Sequence, residues 1–197
     1  MNNQRTSFTL LRFIIDKTLV EGTVLLPSSA NANHTTGKMP DLVCINSAKG
    51  LEEYHTLCTP LNPIFYPAAC IWHKQYIIGY YDSANRRSLF ALKLESGEDV
   101  RITKYCFPFH LVRDQENILE WKQYQNGDLE SERAFPLYKD GTSNNKTYFG
   151  RIRLGDSNLI GQVREDGICY VPTHENGVIR VPDFEILVWK EMTSNRF

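Results

Sequence analysis

Along most of the chain, apolar and polar residues alternate with a period of two. That is the spacing of a half-buried β-strand and not the 3.6-residue repeat of a helix. Over residues 147–154, Arg151 and Arg153 share one face while Ile152 and Leu154 share the other. Tyr105, Phe107, Phe109 and Leu111 alternate with Cys106, Pro108, His110 and Val112; Phe184, Ile186 and Val188 alternate with Glu185, Leu187 and Trp189. Further strands are expected over residues 75–81, 88–94, 167–171 and 178–181. Clusters of Asp, Asn, Ser and Gly at residues 82–85, 96–99, 125–128, 140–145 and 175–177 supply the turns between them. Helix is expected only at residues 8–15 and 117–124. The pattern predicts an all-β fold, with several short-stranded antiparallel sheets packed as one compact unit.

Two stretches interrupt the alternation. Residues 27–40 are polar, and Thr59-Pro60-Leu61-Asn62-Pro63 reads as a boundary, as does the charged run at 114–117. These breaks divide the chain into segments 1–60, 61–116 and 117–197.

Composition narrows the classes of function. With 22 Lys+Arg against 23 Asp+Glu in 197 residues, the net charge is -1 and no basic cluster stands out. A nucleic-acid footprint normally needs a basic stripe, so nucleic acid is not an expected partner. The five cysteines include no C-x-x-C pair and read as mostly buried thiols of a reducing compartment. The apolar run at 8–15 is broken by Arg12 and no clear cleavage site follows, which points to the cytoplasm, with unconventional secretion or vesicle association left open. No apolar stretch is long enough to span a membrane. The five histidines show no i, i+2 or i, i+4 spacing, so neither a metal nor any other cofactor is expected.

The last segment carries a recognisable order of elements. Trp121 is followed by Ala134-Phe135-Pro136-Leu137-Tyr138-Lys139-Asp140, then by Tyr148-Phe149-Gly150-Arg151 and Ile160-Gly161-Gln162. Cys169-Tyr170-Val171-Pro172 and a closing Phe184-Glu185-Ile186-Leu187-Val188 complete it. Over residues 121–189 this order resembles the DM-nine repeat, the small β-rich module of invertebrate mannose-binding lectins that also precedes the pore-forming domain of natterin-like proteins. The resemblance implies a carbohydrate-binding protein for mannose-type glycans, without catalysis and with a part in innate defence. It also implies that Asp140, closing Ala-x5-Asp, and Gln162, where the family's Pro-Gly-Lys has its lysine, hold the sugar. Ile160 stands where that motif has proline, and Gln162 loses the charge assistance of a lysine.

Segment 1–60 reads as a degenerate copy: Asp16 precedes Lys38 by the same interval as Asp140 precedes Gln162, and residues 53–57 would form its closing strand. Asp16 and Lys38 then make a second candidate sugar pair. Segment 61–116, with Ile78-Gly79-Tyr80 but no matching Asp, reads as a structural copy. The chain beyond Val188 is too short for a pore-forming domain, so membrane insertion is not expected.

Chemistry agrees with the sugar reading. A carboxylate accepting from vicinal hydroxyls, an amide or cation opposite, and a ring such as Trp121 or Tyr138 beneath the sugar make a minimal site. Such sites bind weakly one at a time; a homodimer would raise avidity, although no heptad or exposed apolar strand marks an interface. Competing readings remain. Asp140 can simply cap the turn before Gly141, and Arg151 and Arg153 can form a solvated strand face paired to carboxylates. The main alternative is a structural or interaction scaffold of the same fold that has lost sugar binding. Leu154-Gly155-Asp156-Ser157 resembles a hydrolase nucleophile block, but no Asp-x-x-His accompanies it, and it reads better as a turn.

Overall fold

The computed structural model describes residues 40–57, 61, 64–73, 75–125, 129, 133–138 and 146–191. The fold is all-β and antiparallel. The first half runs β1 (Asp41–Ile45), α1 (Ala48–Leu57), β2 (Phe65–Trp72), β3 (Gln75–Asp82), β4 (Arg87–Lys93), β5 (Asp99–Lys104) and β6 (Phe109–Arg113). Its six strands form one sheet in the order β1-β6-β2-β3-β4-β5. Then come β7 (Leu119–Gln123), β8 (Pro136–Tyr138), β9 (Lys146–Leu154), β10 (Ser157–Val163), β11 (Cys169–Pro172), β12 (Val178–Val181) and β13 (Glu185–Trp189). These form a second sheet in the order β12-β11-β10-β9-β13-β7, with β8 beside β9.

The two sheets are copies of one plan. Replacing β1, β6, β2, β3, β4 and β5 by β7, β13, β9, β10, β11 and β12 turns one strand order into the other. The register agrees residue by residue. Ala68 sits opposite both Gly79 and Leu111, as Gly150 sits opposite both Gly161 and Ile186. Gly79 therefore corresponds to Gly161, and Tyr80 to Gln162. The boundary expected at 59–63 falls inside one unit, because β1 pairs with β6 from beyond it. The described chain thus holds two related halves, joined through residues 114–118, and not the three segments expected from sequence.

The sheets pack face to face. Ala69, Ile78, Tyr80, Leu89 and Val112 of the first share a core with Phe149, Ile160 and Leu187 of the second. The outer face of the first sheet has its own core, in which Tyr66, Ile77, Tyr81, Phe90 and Phe109 meet Tyr54 of α1. Residues 53–57, expected as a closing strand, belong to this helix. Its start is fixed by Ser47, whose hydroxyl accepts from Gly50 N (3.2 Å) and whose carbonyl accepts from Leu51 N (3.1 Å). Leu51 and Tyr54, three apart, share the face turned to the sheet, while Glu52, Glu53 and His55 stay exposed. The Tyr54 hydroxyl donates to Val112 O at 2.7 Å and ties helix to strand. Tyr54→Phe is expected to cost about 1 kcal/mol, the net worth of one buried hydrogen bond, read as a lower urea midpoint at constant slope.

The helix expected at 117–124 is also overturned. The buried Asp114 carboxylate accepts from Ile118 N and Leu119 N (3.0 and 2.9 Å), after which β7 pairs with β13 along its whole length. Leu119 is buried and Glu120 exposed, a strand alternation. The alternating run at 105–112 is broken in two, since β5 ends at Lys104 and β6 begins only at Phe109. Pro108, which has no N–H for a ladder, lies in the intervening loop, where its carbonyl accepts from Lys104 Nζ at 2.8 Å. Strands appear where expected for β3, β4, β9, β11, β12 and β13. Gly155 (φ 59°) and Asp156 make the tight turn between β9 and β10, so the hydrolase-like block is a hairpin.

Candidate functional site

Of the four residues that the sequence nominated for sugar binding, only Gln162 can be placed; Asp140, Asp16 and Lys38 lie outside the described residues. Gln162 sits on β10 opposite Phe149 and Tyr170, on the same face as Ile160, and is 4% exposed. That burial leaves little of its amide at the surface. Its counterpart in the first sheet, Tyr80, is fully buried, and its hydroxyl has no hydrogen-bond partner among the described residues. The β8–β9 hairpin opens at the end of the sheet where Gln162 lies, since Tyr138 pairs with Lys146 and Gln162 pairs with Phe149. Trp121 does not offer a free ring: its Nε1 donates to Leu61 O at 3.1 Å, and the Arg151 guanidinium stacks 4.8 Å from the ring centre. Arg151 is also held bidentately by Glu185 at 2.7 and 2.9 Å, the paired strand face weighed above.

A different place has the shape of a binding site. A cavity of about 460 Å³ opens between α1 and the outer face of the first sheet, at the end bearing the β3–β4 turn. Its floor is a run of rings. Phe107 stacks on Phe109 (5.4 Å between centres), Phe109 on Tyr81 (5.0 Å), and His55 of α1 on Tyr66 (5.2 Å). At the mouth, Tyr105 is 72% exposed, the most exposed of the large apolar side chains among the described residues. Arg86, Arg87 and Lys104 line the wall against a single carboxylate, Glu52. Arg86, the last residue of the β3–β4 turn, takes a left-handed backbone (φ 50°) and is exposed. Sequence reasoning missed this site. Its residues come from three separated stretches, and the only signal was the aromatic alternation at 105–109.

Two polar clusters clamp the sheets together beside these features. Asp82 is wholly buried. It accepts from Asn85 N and Nδ2 (3.1 and 2.7 Å) and faces His174 Nε2 across the sheets at 3.1 Å. Burial and the Arg87 charge push the His174 imidazole below its ordinary range, partly offset by Asp82. On the other side, Asp99 of β5 holds Arg164 at 2.5 Å and Arg180 at 2.8 Å, and the Arg164 guanidinium lies 3.6 Å from the centre of the Tyr170 ring.

Among the described residues, Cys70 and Cys169 are buried free thiols and Cys44 and Cys106 are exposed; Cys58 lies outside them. Burial pushes the Cys70 thiol up to about 12. No helix among the described residues is long and apolar enough to cross a membrane. No protein-family model matches the chain, and no curated protein does.

Proposed function

We propose that this protein binds carbohydrate, of mannose-type glycans, without catalysis, and that the groove between α1 and the first sheet is where the sugar sits. The observation that carries this reading is the ring-lined groove with exposed Tyr105 at its mouth and hydrogen-bonding groups around it, including Ser83, Glu52 and His55. Aromatic faces pack against the apolar face of a sugar ring while polar groups take its hydroxyls. The resemblance over residues 121–189 points to the same class of ligand, with Asp140/Gln162 and Asp16/Lys38 as further candidate contacts. The scaffold alternative draws on one observation, the burial of Gln162 and of its counterpart Tyr80.

Saturation-transfer NMR with mannose and galactose on the wild type and on Tyr105→Ala, Asp140→Ala and Asp16→Ala tests the proposal. Transfer to mannose is expected in the wild type and loss of it in Tyr105→Ala, whose exposed ring can be removed without opening the core. Transfer to neither sugar would sink the reading and favour the scaffold.

A further inference from the structure

We propose that the groove takes an anionic saccharide, a hexose ring carrying a phosphate or sulfate ester; this rests on the carbohydrate-binding reading and names the class of sugar. Tyr66, Tyr81, Ser88 and Lys104 stand in register across β2, β3, β4 and β5, so their side chains share the outer face of the sheet. Tyr81, Ser88 and Lys104 of this row line the groove. Ser88 is 1% exposed and its hydroxyl has no hydrogen-bond partner among the described residues. Buried polar atoms are rarely left in that condition, and a ligand oxygen in the groove would satisfy it. Arg87 also lines the cavity, but its Nε lies 3.8 Å from Asp82 Oδ2, toward the inner face, and its charge is taken up there.

Charge selects the ligand. Two cations, Arg86 and Lys104, face one carboxylate, Glu52, around the groove, and Arg86 forms no ion pair among the described residues. A neutral sugar leaves that excess positive charge uncompensated. A tetrahedral oxyanion accepts charge-assisted hydrogen bonds from arginine and lysine together. Arg86, in the β3–β4 turn, and Lys104, whose ammonium also donates to Pro108 O, stand over a floor of rings, so one ligand can meet both the charge and the ring faces. The volume lies within the roughly 300–1,000 Å³ typical of small-molecule sites.

Calorimetric titration of the full chain with mannose 6-phosphate, glucose 6-sulfate, mannose and inorganic phosphate tests the assignment. At least one ester is expected to bind about tenfold more tightly than mannose or inorganic phosphate, and the preferred ester identifies the anion. Arg86→Gln/Lys104→Gln, at an exposed and a half-buried position, should weaken the ester about tenfold and mannose far less, so that the preference for the ester collapses. Ser88→Ala should weaken it several-fold without lowering the urea midpoint, since it removes an unpaired hydroxyl. Ester binding unmoved in the folded double variant would overturn the proposal. Mannose bound as tightly as both esters would overturn the anionic assignment and leave carbohydrate binding intact. Inorganic phosphate bound as tightly as the esters would overturn both, because the ring would then contribute nothing.

Discussion

Gly79→Ala is expected to destabilise the fold by about 3 kcal/mol or more, one of the largest effects of any single substitution in the chain. A Cβ at this position would lie 1.8 Å from Leu89 O and 2.8 Å from Phe90 Cα. Both are backbone atoms of β4, the neighbouring strand, so no side chain can rotate away to make room. The backbone dihedral is not the cause, since Gly79 is absent from the positive-φ positions. Gly161, its counterpart, meets the same obstacle, with Tyr170 O at 2.3 Å. At a slope of about 2 kcal/mol/M the urea midpoint should fall by roughly 1.5 M. Two controls separate crowding from a general glycine effect. Gly97→Ala, at φ 87° with nothing near, should cost only about 1 kcal/mol. Gly150→Ala would press on Cys169 Sγ at 2.5 Å, a side-chain atom, and should be partly rescued by Cys169→Ala. A Gly79→Ala variant as stable as Gly97→Ala would refute the close approach of β3 and β4.

Asp99→Ala is expected to cost about 3–5 kcal/mol, because it leaves Arg164 buried without its counter-charge. The side chains of Asp99 and Arg164 are only 7% and 10% exposed. Asp99→Ala/Arg164→Met should recover part of the loss, since the orphaned charge goes with its partner. A double variant less stable than the single would contradict this account. The same contact predicts a pH dependence. Burial alone would raise the Asp99 pKa, but the hydrogen bonds and charges of Arg164 and Arg180 outweigh it and hold it below the ordinary range. A carboxylate depressed in the native state contributes stability that is present above its unfolded pKa of about 3.9. That contribution is lost as the pH falls through the native value. Acid unfolding of the wild type should therefore steepen below about pH 4, and Asp99→Ala should show a shallower acid limb with an unchanged slope above pH 5.

Both predictions rest on contacts between residues distant in the chain, and this is where sequence reading reached its limit. Strands β3, β4, β9, β12 and β13 were legible as short runs of β-branched and aromatic residues between turns, although Ile77–Asp82 and Ser88–Ala91 are buried on both faces. The turn at Gly155-Asp156 was equally legible, from residue types suited to a two-residue hairpin. Helix α1 was not. Among its described side chains, Leu51 and Tyr54 pack on the sheet, and its glycine and charged residues hide the helix in the sequence until the outer face of the sheet is there to receive it. The duplication was hidden for a related reason. Its halves share few identities, among them Tyr66 with Tyr148, Ile78 with Ile160, Gly79 with Gly161, and Phe109 with Phe184. What is common to them is strand order and register, so the Pro-containing run at 59–63 reads as a boundary although β1 and β6 pair across it.

The candidate site divides in the same way. The sequence nominated Gln162 by the place it holds in a motif, but burial between two sheets is a property of their packing, and no local pattern carries it. The groove joins a helix, a turn and a loop that only the first sheet brings together. By itself the sequence determined the strand content, the turns and the all-β class, because these follow from local sterics and from which face of each segment is apolar. Tertiary structure alone decided the two-sheet duplication, the helix on the outer face, and the meeting of Arg86, Ser88 and Tyr105 around one cavity. Those depend on non-local pairing, whose partners lie tens of residues apart and leave no periodic trace in the chain.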